Sequence, residues 1–423
     1  MNHGNAFDVA IVGGGVAGSA LAITLARAGM DVALIEREAR FRDRVRGDSL
    51  FPWGVVEATR LGLADFLPVS GARPLPIWQR YDDRAPLPSY DWRWDVPTGD
   101  VVWGVNHPGL QEALIEHARD AGATVIRPAK ALRPERLSSG LLELQAHAGD
   151  SSTSCRARLV VGADGKDSGA RRWIGAAAIL DPVHHVLAGC LVEGIDLDPD
   201  AAHVGHYEGG MALILHHASG RARAYIVGQP EIAERIRGSR ARETFLEICS
   251  GAFPEGAFFR TKAVGPAAVF PASDIYADRI AGEGIVLIGD AAAANDPAQG
   301  QGLSLALRDV RELSELLVAV DDWQEAITTF SQRRPSWYEP LRAYALWRGP
   351  LVSDVGLDAD LARGRAAKAA ELDPFRDGYG ALHALGPEGL PVTELARRHF
   401  LGEDLDLAAM TSPSIPRIDA ANH

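Results

Sequence analysis

The chain has 423 residues, with 43 basic against 56 acidic side chains and a formal net charge of −13. Hydrophobic residues make up 47% and charged residues 23%, an ordinary globular balance that excludes wholesale disorder, and the length calls for two or three domains. An acidic chain without a basic run lacks the electrostatic footprint of a nucleic-acid binder.

Three widely spaced cysteines, Cys155, Cys190 and Cys249, form neither a disulfide framework nor a metal-ligand set, and read as buried thiols in a reducing compartment. No basic start with an apolar stretch opens the chain, and no apolar run reaches the length of a membrane span, so the expectation is a cytoplasmic protein.

The first element is a buried parallel strand, Asp8-Val-Ala-Ile-Val12, feeding into Gly13-Gly14-Gly15-Val16-Ala17-Gly18. A helix follows through Ala28, with Leu21, Leu25 and Ala28 on one face, and Gly29 stops it. A second strand, Asp31 to Ile35, ends at Glu36. Gly13 permits the tight turn, Gly15 lets backbone approach a pyrophosphate, and Gly18 allows close helix–strand packing. The helix N-terminus, at Val16 and Ala17, offers free N–H groups to phosphates, and Glu36 accepts from a ribose hydroxyl. Glu36 favours an unphosphorylated ribose, hence NAD or FAD, and this unit alone does not separate the two.

Next come Arg46-Gly-Asp-Ser-Leu-Phe-Pro-Trp-Gly54 and Leu61-Gly-Leu63. Tyr90, Trp92 and Trp94 alternate as in a strand with its aromatics on one side, a candidate substrate wall. His107-Pro-Gly-Leu precedes a helix expected to start near Leu110. Leu159-Val-Val-Gly-Ala-Asp164-Gly165 is a strand entering a tight turn.

Residues from about Leu180 to Tyr276 read as strands with turns, including a hairpin from Met211–Leu215 to Ala222–Val227. His184, His185, His206, His216 and His217 are the candidate bases there, and His216 with Tyr207 are the substrate-lining candidates. No catalytic residue is assigned. Ile285 to Ile288 is another strand, ending in Gly289-Asp290. Asn295-Asp296-Pro297 and Gly300-Gln301-Gly302 follow, then a helix with Leu303, Leu307, Val310, Leu313 and Leu317 on one side. Asp290 at a strand end suits a ribityl hydroxyl, and the helix start favours negative charge on a reduced flavin. After Arg334 the prolines Pro335 and Pro340 are expected to break the helix, with further helices at about 355–372 and 393–401. The tail from Thr411, with Pro413 and Pro416, is expected to be loosely ordered.

The three ordered motifs resemble those of the class A flavoprotein monooxygenases with the p-hydroxybenzoate hydroxylase fold, over roughly Asp8 to Arg334. The resemblance implies FAD as cofactor, with Arg37, Arg46, His107, Asp164, Pro297, Gln301 and Leu303 beside Gly13–Gly18, Glu36, Asp290, Gly300 and Gly302 in its site. It also implies NADH or NADPH as transient donor, directly or through a separate flavin reductase, with O2 adding at flavin C4a and the distal oxygen of that hydroperoxide passing to a small molecule. The sequence departs from the family at Ala293, where His is frequent, at Ser304, where Asn is common, and before the helix near Leu110, where an Arg or Gln is usual and His107 or Asn106 is expected to donate the hydrogen bond to the flavin chain instead. Trp92-Arg-Trp-Asp-Val-Pro97 is similar to a signature of flavin-dependent halogenases, and Tyr90-Asp-Trp92 to the geranylgeranyl reductases, but both precede the Asp-Gly strand. Halogenation also relies on a lysine, and Lys130, Lys166, Lys262 and Lys368 all lie outside the matching segment.

The expectation is therefore an α/β fold. A Rossmann-like FAD-binding domain is assembled from 1–75, 100–180 and 277–334. A sheet-rich substrate-binding domain comprises 76–99 and 181–276, and 335–423 is a C-terminal helical region. The expected function is oxygenation of an electron-rich aromatic or polyketide-like molecule. A halogenase or alkene reductase, and a non-catalytic flavin-bearing sensor or ligand-binding protein, stand as alternatives. No metal, nucleic-acid partner or membrane span is expected, and the oligomeric state is left open.

Overall fold

The computed structural model describes residues 6–405, apart from 374, 375, 377 and 389. The predicted tail from Thr411 lies outside the described residues.

The apolar run Ala6–Val12 is the central strand of a nine-stranded sheet. Val32–Ile35 flanks it on one side and the long strand Ser151–Gly162 on the other, both parallel to it (Val9 opposite Val32, Ile11 opposite Val161). Thr124–Ile126 and Ile285–Leu287 extend the parallel core outward. Val9, Ala10 and Ile11 are fully buried, as parallel strands covered on both faces require. Helices Val16–Arg27 and Gly302–Ala319 pack together on this sheet. Because neighbouring connections leave the central strand in opposite directions, a crevice opens at its carboxyl end.

The second nine-stranded sheet is mostly antiparallel. It runs Lys262–Ala263, His185–Glu193, Arg221–Gly228, Gly210–His216, Ala201–Tyr207, Ile77–Asp82 and Ala85–Pro86. The expected hairpin pairs His216 with Ala222 and Met211 with Val227. Alternation divides this sheet cleanly. Leu187, Met211, Leu215, Tyr225 and Val227 join the main core, whereas Val186, Ala188, Ala212, Ile214, Ala224 and Ile226 join a separate one covered by Phe245 and Cys249.

Four local expectations are corrected. Residues 181–276 are not strands alone: Ile232–Arg235 and Ala241–Ser250 are helices, the second with its Phe245 and Cys249 side buried. Trp92–Asp95 is one helical turn capped by the Asp91 carboxylate, so Trp92 is buried while Trp94 points into solvent at 82% exposure, and the aromatics do not share a side. The helix expected near Leu110 begins at His107, with Pro108 in its first turn where no N–H is needed. Pro335 likewise opens a helix, but that helix runs through Pro340 to Ser353, because burial of Trp337, Leu341, Tyr344 and Ala345 outweighs the missing hydrogen bond. Among the described residues, no helix is long and apolar enough to cross a membrane.

Candidate cofactor and active site

Gly13 ends the central strand with φ +106°, and a Cβ there would stand 2.3 Å from the Ala163 carbonyl oxygen. A Cβ on Gly18 would stand 1.9 Å from the Gly13 carbonyl oxygen, so the helix packs where only glycine fits. Gly15 is different: its φ is −66°, and the nearest atom to an added Cβ is Gln111 Nε2 at 3.7 Å. Its backbone is open, and no side chain caps the helix starting at Val16, so the first amides are free for an anion. Glu36 accepts the Gly14 amide at 2.7 Å and the Glu38 amide at 2.6 Å, which fixes the carboxylate and leaves each oxygen a further lone pair.

Two remote segments close on this turn. Gly13 touches Ala163 of the Asp-Gly turn, and an added Cβ on Gly289 would be 3.0 Å from the Ala17 methyl. Arg171 joins the second motif to the third, donating from Nη2 to the Asp290 carbonyl at 3.1 Å and to the Ala291 carbonyl at 2.9 Å. Asp164 and Asp290 then part in role. The Asp164 carboxylate caps the helix Gly169–Trp173, accepting Ser168 Oγ at 2.5 Å and the Gly169 amide at 2.6 Å. No group among the described residues donates to the Asp290 carboxylate. Burial raises its pKa, against the pull of Arg46, Lys166, Arg171 and Arg334.

Arg46 sits in a tightly held loop. Val45 before it has φ +56°, a costly conformation for a β-branched residue, and its buried side chain fills the notch left by Gly189. Arg223, 1% exposed, clamps the loop from the second sheet: Nη2 donates to both Asp43 oxygens at 2.7 Å, and Nε lies 3.2 Å from Asp48 Oδ1. Tyr225 donates to Asp48. Burial pushes Asp48 up to about 6, against Arg223. His107 is lowered to about 4 by burial and by Arg46, so it is neutral. With its Nδ1 3.2 Å from the Gly47 carbonyl, the proton belongs on Nδ1 and Nε2 is an acceptor, which reverses the donor role expected for this side chain.

Gly13, Gly15, Glu36, Arg46, His107 and Asp164 line a cleft of about 300 Å³, and Arg37 stands at its exposed rim. Pro297–Gln299 forms a tight turn leading to Gly300 at φ +66° and the helix Gly302–Ala319, with Leu303 buried in the core. Gln301 accepts Trp53 Nε1 and donates to the Gln299 carbonyl, both at 2.8 Å. Gly300 is pressed against Phe51, whose ring an added Cβ would meet at 2.8 Å. Phe51 stacks on His383 at 4.1 Å and faces Trp78 at 5.9 Å, and Trp92 meets Trp78 edge-on at 6.0 Å. Among the described residues, the buried Trp92 Nε1 and Gln299 Oε1 have no partner.

The other substrate candidates stand elsewhere. Tyr207 donates to the Val227 carbonyl at 3.1 Å, and His216 packs on His203 at 5.8 Å, lowered to about 4 by burial. Sequence reasoning passed over Trp78, Arg171, Arg223 and Asp309 as site-forming residues. Only Asp309 carried a usable signal, a carboxylate among Ala306, Val310 and Leu313 on a buried helix face. Among the described residues, no group of three or more His, Cys, Asp or Glu side chains is placed to hold a metal ion.

A family model described as FAD binding domain matches residues 6–336. The chain is 29% identical over 357 residues to digeranylgeranylglycerophospholipid reductase 1 of Methanopyrus kandleri, covering 79% of this chain and 87% of the reductase. Its fold is similar to p-nitrophenol 4-monooxygenase PnpA of Pseudomonas putida DLL-E4, with TM-score 0.76, 21% identity and coverage of 90% and 99%. The flavin-dependent brominase Bmp2 shares the fold with TM-score 0.74, 16% identity and coverage of 94% and 97%.

Proposed function

The chain belongs to the FAD-binding domain family and is an FAD-dependent oxidoreductase of the class A flavoprotein type, and from that premise we propose that it is a monooxygenase. It would insert one oxygen atom from O2 into an electron-rich aromatic or polyketide-like small molecule, with electrons from NADH or NADPH. The residues present fit FAD: an open glycine and uncapped helix amides on the first segment converge with the Asp290 carboxylate of the third, to which no described residue donates. Bound FAD would supply the two-electron chemistry and the activation of O2.

The chain's own residues bind, orient and exclude water. Amides from Gly15 to Ala17 would hold the pyrophosphate, Glu36 an adenosine ribose hydroxyl, and Asp290 a ribityl hydroxyl. Arg46 and the acceptor Nε2 of His107 would fix the chain between the two ends. The start of the Gly302–Ala319 helix would stabilise negative charge on the reduced ring. Three buried, unpaired cysteines suit a reducing compartment such as the cytoplasm.

The observation that carries this function is the aromatic cluster of Phe51, Trp78 and Trp92, whose Phe51 ring is packed against Gly300. Such a cluster would offer rings to an aromatic substrate and would keep the oxygen-transferring step dry. Trp92 Nε1 would find its missing acceptor in an oxygenated substrate. All four lysines are exposed, which weighs against halogenation. Alkene reduction is the second reading, favoured by the 29% identity to the archaeal reductase.

A screen for aromatic ligands that accelerate NAD(P)H oxidation, with each product weighed, tests the function. One added oxygen supports it. Addition of two hydrogens supports the second reading, and failure of NAD(P)H to bleach the flavin with any ligand or added reductase supports a sensor.

A further inference from the structure

We propose that His184 and His185 form a proton relay between bulk water and the buried Asp296 carboxylate beside the Gly300 turn. The relay rests on the oxygenation reading. Substrate, O2, NAD(P)H and one proton give hydroxylated substrate, NAD(P)+ and water, so a site closed to solvent must take up one proton per turnover.

The four side chains form an unbroken chain. Asp354 Oδ1 lies 2.9 Å from His184 Nε2, and these side chains are 42% and 38% exposed. His184 Nδ1 lies 3.4 Å from His185 Nδ1. His185 Nε2 lies 3.1 Å from Asp296 Oδ2, and both of these side chains are only 4% exposed. Asp296 is itself fixed, since Oδ1 accepts the Ala298 amide at 2.9 Å and its own amide donates to Asp274 at 3.1 Å. Pro297, the next residue, begins the turn to Gly300.

Donor and acceptor rules decide where the protons are. An ionised carboxylate only accepts, so both Nε2 atoms carry a proton. The two Nδ1 atoms then face each other, and two lone pairs there would repel. Ser353 Oγ donates its single proton to the Gly349 carbonyl at 3.0 Å and so turns a lone pair toward His184 Nδ1 at 3.3 Å. His184 Nδ1 thus faces two acceptors, and an additional proton satisfies both. A proton taken up there is shared between the two rings. In the forward step the shared proton passes to His185 Nδ1 and the His185 Nε2 proton passes to Asp296, which gives it up to the reduced oxygen leaving the site; the His185 ring then turns over to restore its Nε2–H, and His184 recharges from water. Only N–H and O–H bonds change, and no electron moves. Gly349 leaves the rings room, since an added Cβ would lie 3.3 Å from His185 Cε1.

The test needs no substrate. Reoxidation of the dithionite-reduced holoenzyme by O2 takes up one proton for each H2O2 released. His184→Gln, a change at the surface, should leave flavin content and visible spectrum intact. It should slow reoxidation roughly tenfold or more in dilute buffer, with recovery as imidazole is added. An unchanged rate, or a loss that imidazole does not restore, overturns the relay. Nitrogen-15 NMR of the full-length protein reads the pair directly: a protonated His184 Nδ1 at neutral pH supports it, and two unprotonated Nδ1 atoms overturn it. An enzyme that passes both tests yet incorporates no oxygen from O2 keeps the relay and loses the oxygenation reading.

Discussion

The Gly289 amide donates to the Asp309 carboxylate at 2.9 Å, across the 20 residues that separate the Gly-Asp turn from its supporting helix. The same carboxylate, fully buried, holds Arg334 at 3.0 Å and the Trp337 indole at 2.9 Å. One side chain thus sets the turn that presents Asp290 and ties it to two further helices. Asp309→Asn leaves the Arg334 charge unpaired, and should cost roughly 3 kcal/mol of stability while weakening FAD binding. Urea unfolding and flavin titration of the variant check both effects. A stability near wild type would contradict the assignment.

The glycines should separate by role. Gly13→Ala forces a Cβ against the Ala163 carbonyl at φ +106°, so the variant should fail to fold. Gly15→Ala meets nothing closer than 3.7 Å at an ordinary φ, so it should fold with unchanged melting temperature and lose FAD affinity. Circular dichroism with flavin titration distinguishes them, and equal effects of the two changes would count against the pyrophosphate role of Gly15.

Arg223 bridges Asp43 and Asp48 from a nearly inaccessible position. Arg223→Met should cost roughly 3 kcal/mol, because two carboxylates lose their counter-charge, and should release the loop that presents Arg46. Flavin affinity should fall with it. Arg223→Lys should recover only part, since an ammonium lacks the fork that meets both partners. Full recovery by lysine would show that charge alone matters.

Acid should destabilise the fold through its buried histidines. His107, His216 and His217 are held near 4 by burial, below the ordinary 6.5. Between those values the unfolded chain binds protons that the folded chain refuses, so stability falls as pH drops. Asp48 and Asp274, raised by burial to about 6, act in the opposite sense over part of the same window. His216→Asn should therefore narrow the stability gap between pH 7 and pH 5 by on the order of 2 kcal/mol. An unchanged gap in denaturant unfolding would show that His216 does not titrate with folding.

Local pattern made much of this molecule legible. The glycine turn, both flanking strands and the amphipathic helix from Gly302 appear in the sequence because each is written in a short window of spacing and residue type. The Asp-Gly and Gly-Asp motifs were readable as turns, but their meeting through Arg171 is a contact across more than a hundred residues that no local pattern carries. The same limit hid Trp78, an ordinary aromatic until the fold sets it beside Phe51, whose ring packs on Gly300. Trp92–Asp95 misled because alternating aromatics suit a strand, while the Asp91 cap turns the chain into one helical turn. Pro340 misled because tertiary burial overrode local propensity.

We propose that three separated segments build one FAD site, with Asp290 as an acceptor to which no described residue donates. Titration of flavin-stripped wild type and Asp290→Ala with FAD, followed by flavin fluorescence, tests it most directly. Tight binding by wild type and a loss of tenfold or more in the variant, on the order of the 1.4 kcal/mol or more carried by a charge-assisted hydrogen bond, is the predicted result. Equal affinity in the two proteins would contradict it.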